Sequence, residues 1–217
     1  MIDFAQRRTM MVDTQVRPSD VTKFPIIDAM LDTPREAFVP EALREAAYIG
    51  ENLDLGGGRT LLEPRTLAKM IDALAIEPTD IVLDVACGLG YSTAIAAQLA
   101  DFAVGVESDE TRASEAQSIL SELGIDNAAI IAGDLTAGAA KSGPYDIIMI
   151  QGAVEAVSAE ISDQLKEGGK IAAIFAEGVL GVVRIGHKQD GEVTWRFAFN
   201  ASAPLLAEFD KTDGFVL

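Results

Sequence analysis

An apolar run that breaks directly into glycines limits the fold of this chain more than any other feature. Ile81-Val82-Leu83-Asp84-Val85 is short, apolar and partly β-branched, and Ala86-Cys87-Gly88-Leu89-Gly90 follows without a spacer. The length and composition of the run predict a strand. Glycine tolerates backbone angles that clash in residues carrying a Cβ, so the chain can turn here and approach a ligand closely. Helix-forming residues resume from about Ser92 to Leu99. Strand, glycine turn and helix in that order leave the helix N–H groups facing the turn, where a ligand can use them.

The alternation then repeats. Ala103 to Glu107 predicts a second strand, 110–123 a helix, and Ala128 to Ala132 a third strand. Tyr145 to Ile150 predicts a fourth, whose unbroken apolar run suits burial on both faces. A helix over 155–165 and Gly168-Gly169 lead to a fifth strand, Lys170 to Phe175. Such alternation implies parallel pairing through right-handed crossovers. The ending differs. Val179 to His187 and Glu192 to Asn200 read as strands joined by Lys188-Gln189-Asp190-Gly191, and Asp-Gly between strands is a hairpin signal. The expected fold is α/β and Rossmann-like, a mostly parallel seven-stranded sheet finished by an antiparallel hairpin.

The region before Asp80 reads as a helical extension. Residues 3–17 predict a helix ending before Pro18, and Ser19 a cap for a second over 20–31. Thr33-Pro34 predicts another helix start, and 41–47 a short helix. Gly56-Gly57-Gly58 suits neither helix nor strand, so 53–58 is expected to be flexible, and 50–60 could act as a lid. Pro64 opens a helix through Ala73, with Leu67, Met70, Ile71 and Leu74 on one face. The expected division is a helical, substrate-side region over 1–78 and a cofactor-binding α/β region over 79–217.

Chemistry-bearing residues recur at the strand ends. Glu107 closes the second strand, where an acid can accept hydrogen bonds from both ribose hydroxyls. Gly133-Asp134 follows the third, where an acid can bond an adenine amino group. Together with the glycine turn they point to an adenosine-containing cofactor. The candidate binding set is Asp84, Ala86, Cys87, Gly88, Gly90, Tyr91, Glu107, Ser108, Asp134, Leu135 and Gln151. A dinucleotide fits poorly, because its third glycine would fall at Thr93 and its first small position is Ala86. The terminal hairpin resembles class I methyltransferases rather than dehydrogenases, and Asp84 resembles the acid that meets the methionine end in that class. S-adenosylmethionine is therefore the expected cofactor.

A more specific resemblance covers nearly the whole chain from about residue 15. Pro34-Arg35-Glu36-Ala37-Phe38-Val39-Pro40-Glu41-Ala42-Leu43 is similar to the N-terminal block of protein-L-isoaspartate O-methyltransferases. So are Ala47-Tyr48, Thr60 to Pro64, Val82 to Tyr91, Gly105-Val106-Glu107, Gly133-Asp134, Tyr145-Asp146, Gln164 to Gly169 and Ala203 to Leu206. The resemblance implies methyl transfer to a carboxylate of an isoaspartyl residue in a peptide or protein. A carboxylate is already ionised at neutral pH, so that reaction needs positioning rather than a general base. The family segment Gln-Thr-Ile-Ser-Gln-Pro reads Arg59-Thr60-Leu61-Leu62-Glu63-Pro64 here. Leu62 stands in the serine position, and Glu63 brings a negative charge. Arg59 and Arg65 flank the segment, and either can pair with a carboxylate. Glu63 can serve as a base for a hydroxyl or amine, or as an acid at a helix N-terminus. Leu62, Glu63 and Arg59 are thus the catalytic-position candidates. A methyltransferase for another, small acceptor and a cofactor-binding protein without transfer remain alternatives.

Composition narrows the partners. Thirty-four acidic residues against seventeen basic give a net charge of −17, which repels phosphate backbones and anionic lipid. Arg7-Arg8 is too small for a basic stripe, so neither nucleic acid nor membrane is an expected partner. Cys87 is the only cysteine, which excludes an intrachain disulfide and suits the cytoplasm. No apolar run approaches the about 20 residues that span a bilayer, and the first residues lack a signal-peptide pattern. No metal cluster is read. His187, beside the hairpin turn, is expected at the surface, Cys87 as a packing residue, and Trp195, Phe197 and Phe199 on one packed strand face.

Overall fold

A computed structural model describes residues 3–178 and 180–210; Val179, the expected start of a hairpin strand, lies outside the described residues. The centre is a seven-stranded sheet in the order β5-β4-β3-β6-β7-β8-β9. Its members are β3 (Ile81–Val85), β4 (Phe102–Glu107), β5 (Ala128–Ala132), β6 (Tyr145–Val154), β7 (Leu165–Glu177), β8 (Leu180–Gln189) and β9 (Glu192–Asn200). Pairing is parallel from β5 through β7 and antiparallel for β7-β8-β9. Helices α4 (Tyr91–Leu99) and α5 (Glu110–Glu122) make the crossovers on one side of β3, and α6 (Ala159–Asp163) joins β6 to β7.

Strand periodicity divides the core into two faces. Val82 packs with the N-terminal helices and α4, whereas Leu83 and Val85 pack with Val104, Ile148, Ile161 and Leu206 on the other side. Helix α6 is shorter than the expected 155–165, because 155–158 are not helical, the Ser158 side chain caps the helix by accepting from the Ile161 amide, and Leu165 already belongs to β7. Among the described residues no helix is long and apolar enough to cross a membrane.

The N-terminal region packs on the first face as part of the same core. Helix α1 (Phe4–Met11) continues as a wider turn over Val12–Val16 and a tight one over Arg17–Ser19. Ser19 caps nothing. Its hydroxyl donates back to the Gln15 carbonyl at 2.6 Å, and α2 (Phe24–Asp32) begins only where Pro25 supplies a pre-set φ. The 34–38 and 41–47 segments form 3-10 turns, Arg35–Phe38 and Glu41–Ala46. Helix α3 (Pro64–Leu74) buries Leu67, Met70, Ile71 and Leu74, the stripe the sequence predicts.

Two expectations fail. The glycine stretch is ordered as a hairpin, β1 (Leu53–Gly56) against β2 (Arg59–Leu61). Gly56, Gly57 and Gly58 take φ of +80°, +58° and +74°, so the glycines make the turn itself. Trp195, Phe197 and Phe199 do not share a packed face. A bulge at Ala198 turns Phe199 away, Trp195 meets Phe175 edge-on at 4.8 Å, and Phe197 is 63% exposed.

Candidate functional site

Sheet order reverses between β3 and β6, both of which run in the same direction, and ligands in open α/β sheets sit at the strand ends beside such a reversal. The turn Ala86–Gly90 lies there. Ala86 and Gly88 both have φ +59° and Gly90 +93°. For Ala86 this left-handed conformation costs roughly 1 kcal/mol, a strain the surrounding strands hold in place. Cys87 packs under Gly105, where an added Cβ would stand 2.9 Å from its Sγ. Burial pushes its thiol well above the ordinary value, and the Asp84 and Glu107 charges push the same way, so Cys87 is a packing residue.

Asp84 does not face open space. Its Oδ2 accepts from Ser92 at 2.6 Å and Thr93 at 2.7 Å, and its Oδ1 from Gln151 at 2.7 Å. All four groups are buried. Burial pushes the Asp84 carboxyl up to about 6, and the three hydrogen bonds hold it from rising further. Asp84 and Gln151 therefore brace β3, α4 and β6 together, which corrects the expectation of direct contact with the methionine end. Tyr91 is buried against Phe38 and the Arg35 guanidinium, so its side chain serves the core.

Beyond the ends of β4 and β5 lies a cleft of about 590 Å³ lined by Ser108, Glu110, Gly133, Asp134, Leu135, Thr136 and Glu208. Asp134 is exposed on its wall. Its Oδ1 accepts from the Thr136 amide at 2.8 Å and hydroxyl at 2.7 Å, bonds that hold its carboxyl below the usual range. Leu135 is fully buried behind it. A Cβ on Gly133 would meet nothing within 4 Å, so that side of the cleft is open to a ring.

Glu107 ends β4 as expected but is sealed. Arg59 Nε donates to both its oxygens at 3.1 Å, Arg112 Nη1 to Oε1 at 3.1 Å, and the Asp109 amide to Oε1 at 3.1 Å. Arg59 reaches it from β2 and bonds Ser108 at 2.7 Å and Glu208 at 2.6 Å through Nη2. Arg59 thus pairs with carboxylates of its own chain rather than facing an acceptor, a correction to its expected role.

The segment that gives the family its serine is likewise turned inward. Leu62 is buried in the core, and its carbonyl accepts from Arg35 Nη2 at 2.7 Å. Glu63 precedes α3, accepts the Thr66 hydroxyl at 2.6 Å, and has its amide held by Asn52 at 2.8 Å. Arg65 is exposed and stands 3.8 Å from Glu63. Glu63 is therefore a helix-start acid, the reading its place before Pro64 favours.

The family model for protein-L-isoaspartate(D-aspartate) O-methyltransferase matches residues 6–200. The chain belongs to this family. It is 38% identical over 168 residues to the protein-L-isoaspartate O-methyltransferase of Syntrophus aciditrophicus, covering 77% of each chain. It is 32% identical over 203 residues to that of Aliivibrio fischeri, covering 92% of this chain and 96% of the relative. The fold matches a Plasmodium falciparum chain described as a protein-L-isoaspartate O-methyltransferase and solved with S-adenosyl-L-homocysteine. That match has a TM-score of 0.79 at 18% identity and covers 96% of this chain and all of the other.

Membership in the methyltransferase family accounts for the strand-end pattern but not for all of the cluster on Glu107. Arg112 was within reach of a sequence reading, since it follows Glu107 by about a helical turn at the start of α5. Glu208 gave no such signal. It arrives through a C-terminal segment bonded to β6, by Ala153 to Pro204 at 2.9 Å and Leu206 to Ala153 at 2.9 Å. Arg35 is wholly buried between the Ala47 and Leu62 carbonyls, a structural role that the Pro34 block does not signal by its residue types.

Proposed function

We propose that this methyltransferase esterifies the carboxylate of isoaspartyl residues in peptides or proteins, using S-adenosylmethionine. Family membership carries the reading, and the cleft at the ends of β4 and β5 fits the cofactor. Its volume lies in the range of small-ligand sites, with an exposed acid, an open glycine edge and an apolar backing in one place. Asp134 would hold the adenine amino group, Leu135 back the ring, Glu107 take the ribose hydroxyls with Ser108 beside it, and the Ala86–Gly90 turn carry the methionine end. When bound, the cofactor supplies a methyl group made electrophilic by its sulfonium.

The chain's own contribution is positioning. The acceptor is an anion at neutral pH and needs no base, which agrees with Glu63 being committed to Thr66 and the start of α3. Leu62 contributes a core side chain and a carbonyl for Arg35, so it supports the segment without meeting the acceptor. A cytoplasmic setting suits a chain whose one cysteine is a buried thiol.

The test is incubation with methyl-labelled cofactor and two peptides that differ only in an isoaspartyl or a normal aspartyl linkage. Base-labile label on the isoaspartyl peptide alone is the expected result. No ester on it at saturating cofactor rejects the reading, and label on an unrelated small acceptor instead replaces it.

A further inference from the structure

The acid expected to take ribose is closed off from the cleft that would hold adenosine. Glu107 has no exposed surface and does not line the cleft, while Ser108 and Glu208, the outer partners of Arg59, do. Arg59 Nε lies 3.1 Å from both Glu107 oxygens, the two acceptors a ribose diol would use. Its Nη2 arm reaches the cleft rim. We propose that Arg59 is a stand-in for the ribose hydroxyls: it holds Glu107 in the free protein, ribose displaces it, and Glu208 keeps the displaced guanidinium. The inference rests on the cofactor reading of the cleft.

The exchange leaves no buried charge without a partner. Glu107 keeps Arg112 and the Asp109 amide, both on Oε1, and Arg59 keeps Glu208. Stripping a buried carboxylate of all its cations would be far costlier, so the second arginine makes the displacement feasible. The two sides of the clasp differ in anchorage. Glu208 is the fixed post, because its segment carries backbone bonds to β6, including Glu155 to Phe209 at 3.2 Å. Arg59 opens a short strand behind three positive-φ glycines, and the turn touches the body through Gly56, whose carbonyl accepts from Arg112 at 3.1 Å. Movement of the β1–β2 turn is the simplest way to withdraw Nε while Nη2 stays on Glu208.

The test compares adenosine with 2′,3′-dideoxyadenosine, which differ only in the two hydroxyls, by calorimetry on the full chain. Both are uncharged, so changes in the charge of the cleft do not confuse the result. R59Q should bind adenosine at least about fivefold tighter than the wild type and leave the dideoxy compound within about twofold. E208Q, at a side chain 32% exposed, should fold normally and weaken adenosine about threefold, because the displaced guanidinium loses its post. In the R59Q background, E208Q should lose most of its effect, since the part of Glu208 in the exchange is to hold the Arg59 guanidinium. Adenosine affinity unchanged or lower in R59Q overturns the clasp. Equal tightening of both ligands overturns it too, as that is general opening of the cleft. Failure of the wild type to bind S-adenosylhomocysteine overturns the cofactor reading and the clasp with it, whereas binding without the R59Q effect overturns the clasp alone.

Discussion

Two carboxylates are buried at the ends of neighbouring strands, and the molecule neutralises them in opposite ways. Asp84 on β3 is met by two hydroxyls and an amide, all from the βα units that flank it. Glu107 on β4 is met by two guanidinium groups, one of them from the N-terminal hairpin. Neutral donors satisfy the lone pairs of Asp84 but bring no opposite charge, so burial dominates and its carboxyl rises to about 6. The first acid is a brace internal to the sheet region. The second is an ion-pair junction that forms only when the hairpin, α5 and the C-terminal segment all dock. A site can therefore be pre-built on one side and assembled on the other.

Removing the charge of Glu107 should expose that difference most strongly. Glu107→Gln leaves Arg59 and Arg112 facing a neutral amide in a dry setting, and breaking one side of a buried ion cluster costs about 3–5 kcal/mol. Urea unfolding should show a loss of that size, with hydrogen exchange at the β1–β2 hairpin rising more than at β3. A loss spread evenly over both regions would show that Glu107 braces the sheet just as Asp84 does.

The buried cation of the N-terminal region gives the middle effect. Arg35 donates to the Ala47 carbonyl at 2.6 Å and the Leu62 carbonyl at 2.7 Å, and its guanidinium lies over the Tyr91 ring at 4.8 Å. Arg35→Met keeps much of the volume and relieves a desolvated charge, but leaves two buried carbonyls unpaired at about 1–3 kcal/mol each. A net destabilisation of about 2–3 kcal/mol is expected in equilibrium unfolding. An unchanged midpoint would mean that the 47 and 62 backbones are held by other contacts, and that the inward turn of Leu62 owes nothing to Arg35.

The same contrast explains what the sequence discloses. The sheet half was legible because its signals are local: apolar runs, glycines at the turns, acids at strand ends and an Asp-Gly hairpin all sit within a few residues of what they determine. Glu107 and Asp134 stand where that grammar puts them. The clasp was not legible, because Arg59, Glu107 and Glu208 are brought together by tertiary docking alone. An arginine in a polar segment reads as solvated, and nothing near Arg59 says that it will be 3% exposed. Gly56 to Gly58 misled in a different way. Their permissiveness suggests flexibility, yet the same positive φ angles are what a tight hairpin turn requires.

The smallest effect concerns the acid that neutral donors hold, and its sign runs opposite to that of Glu107. The Asp84 carboxyl rises from 3.8 to about 6 on folding, so the folded state binds its proton more tightly than the unfolded chain does. The associated stability is complete below the unfolded value and is lost as pH rises through about 6. At neutral pH the ionised, buried Asp84 is a net cost. Asp84→Asn removes that titration, and the hydrogen bonds survive: Gln151 can donate to the new carbonyl, and the Ser92 and Thr93 hydroxyls can rotate to accept from the new amide. Relative to the wild type, the variant should gain about 1 kcal/mol of unfolding free energy between pH 5 and pH 8. Paired unfolding curves at each pH cancel the titration of the many surface acids that both proteins share. A difference that stays flat across that window would mean that the three donors fully compensate burial, and that Asp84 and Glu107 are neutralised equally well after all.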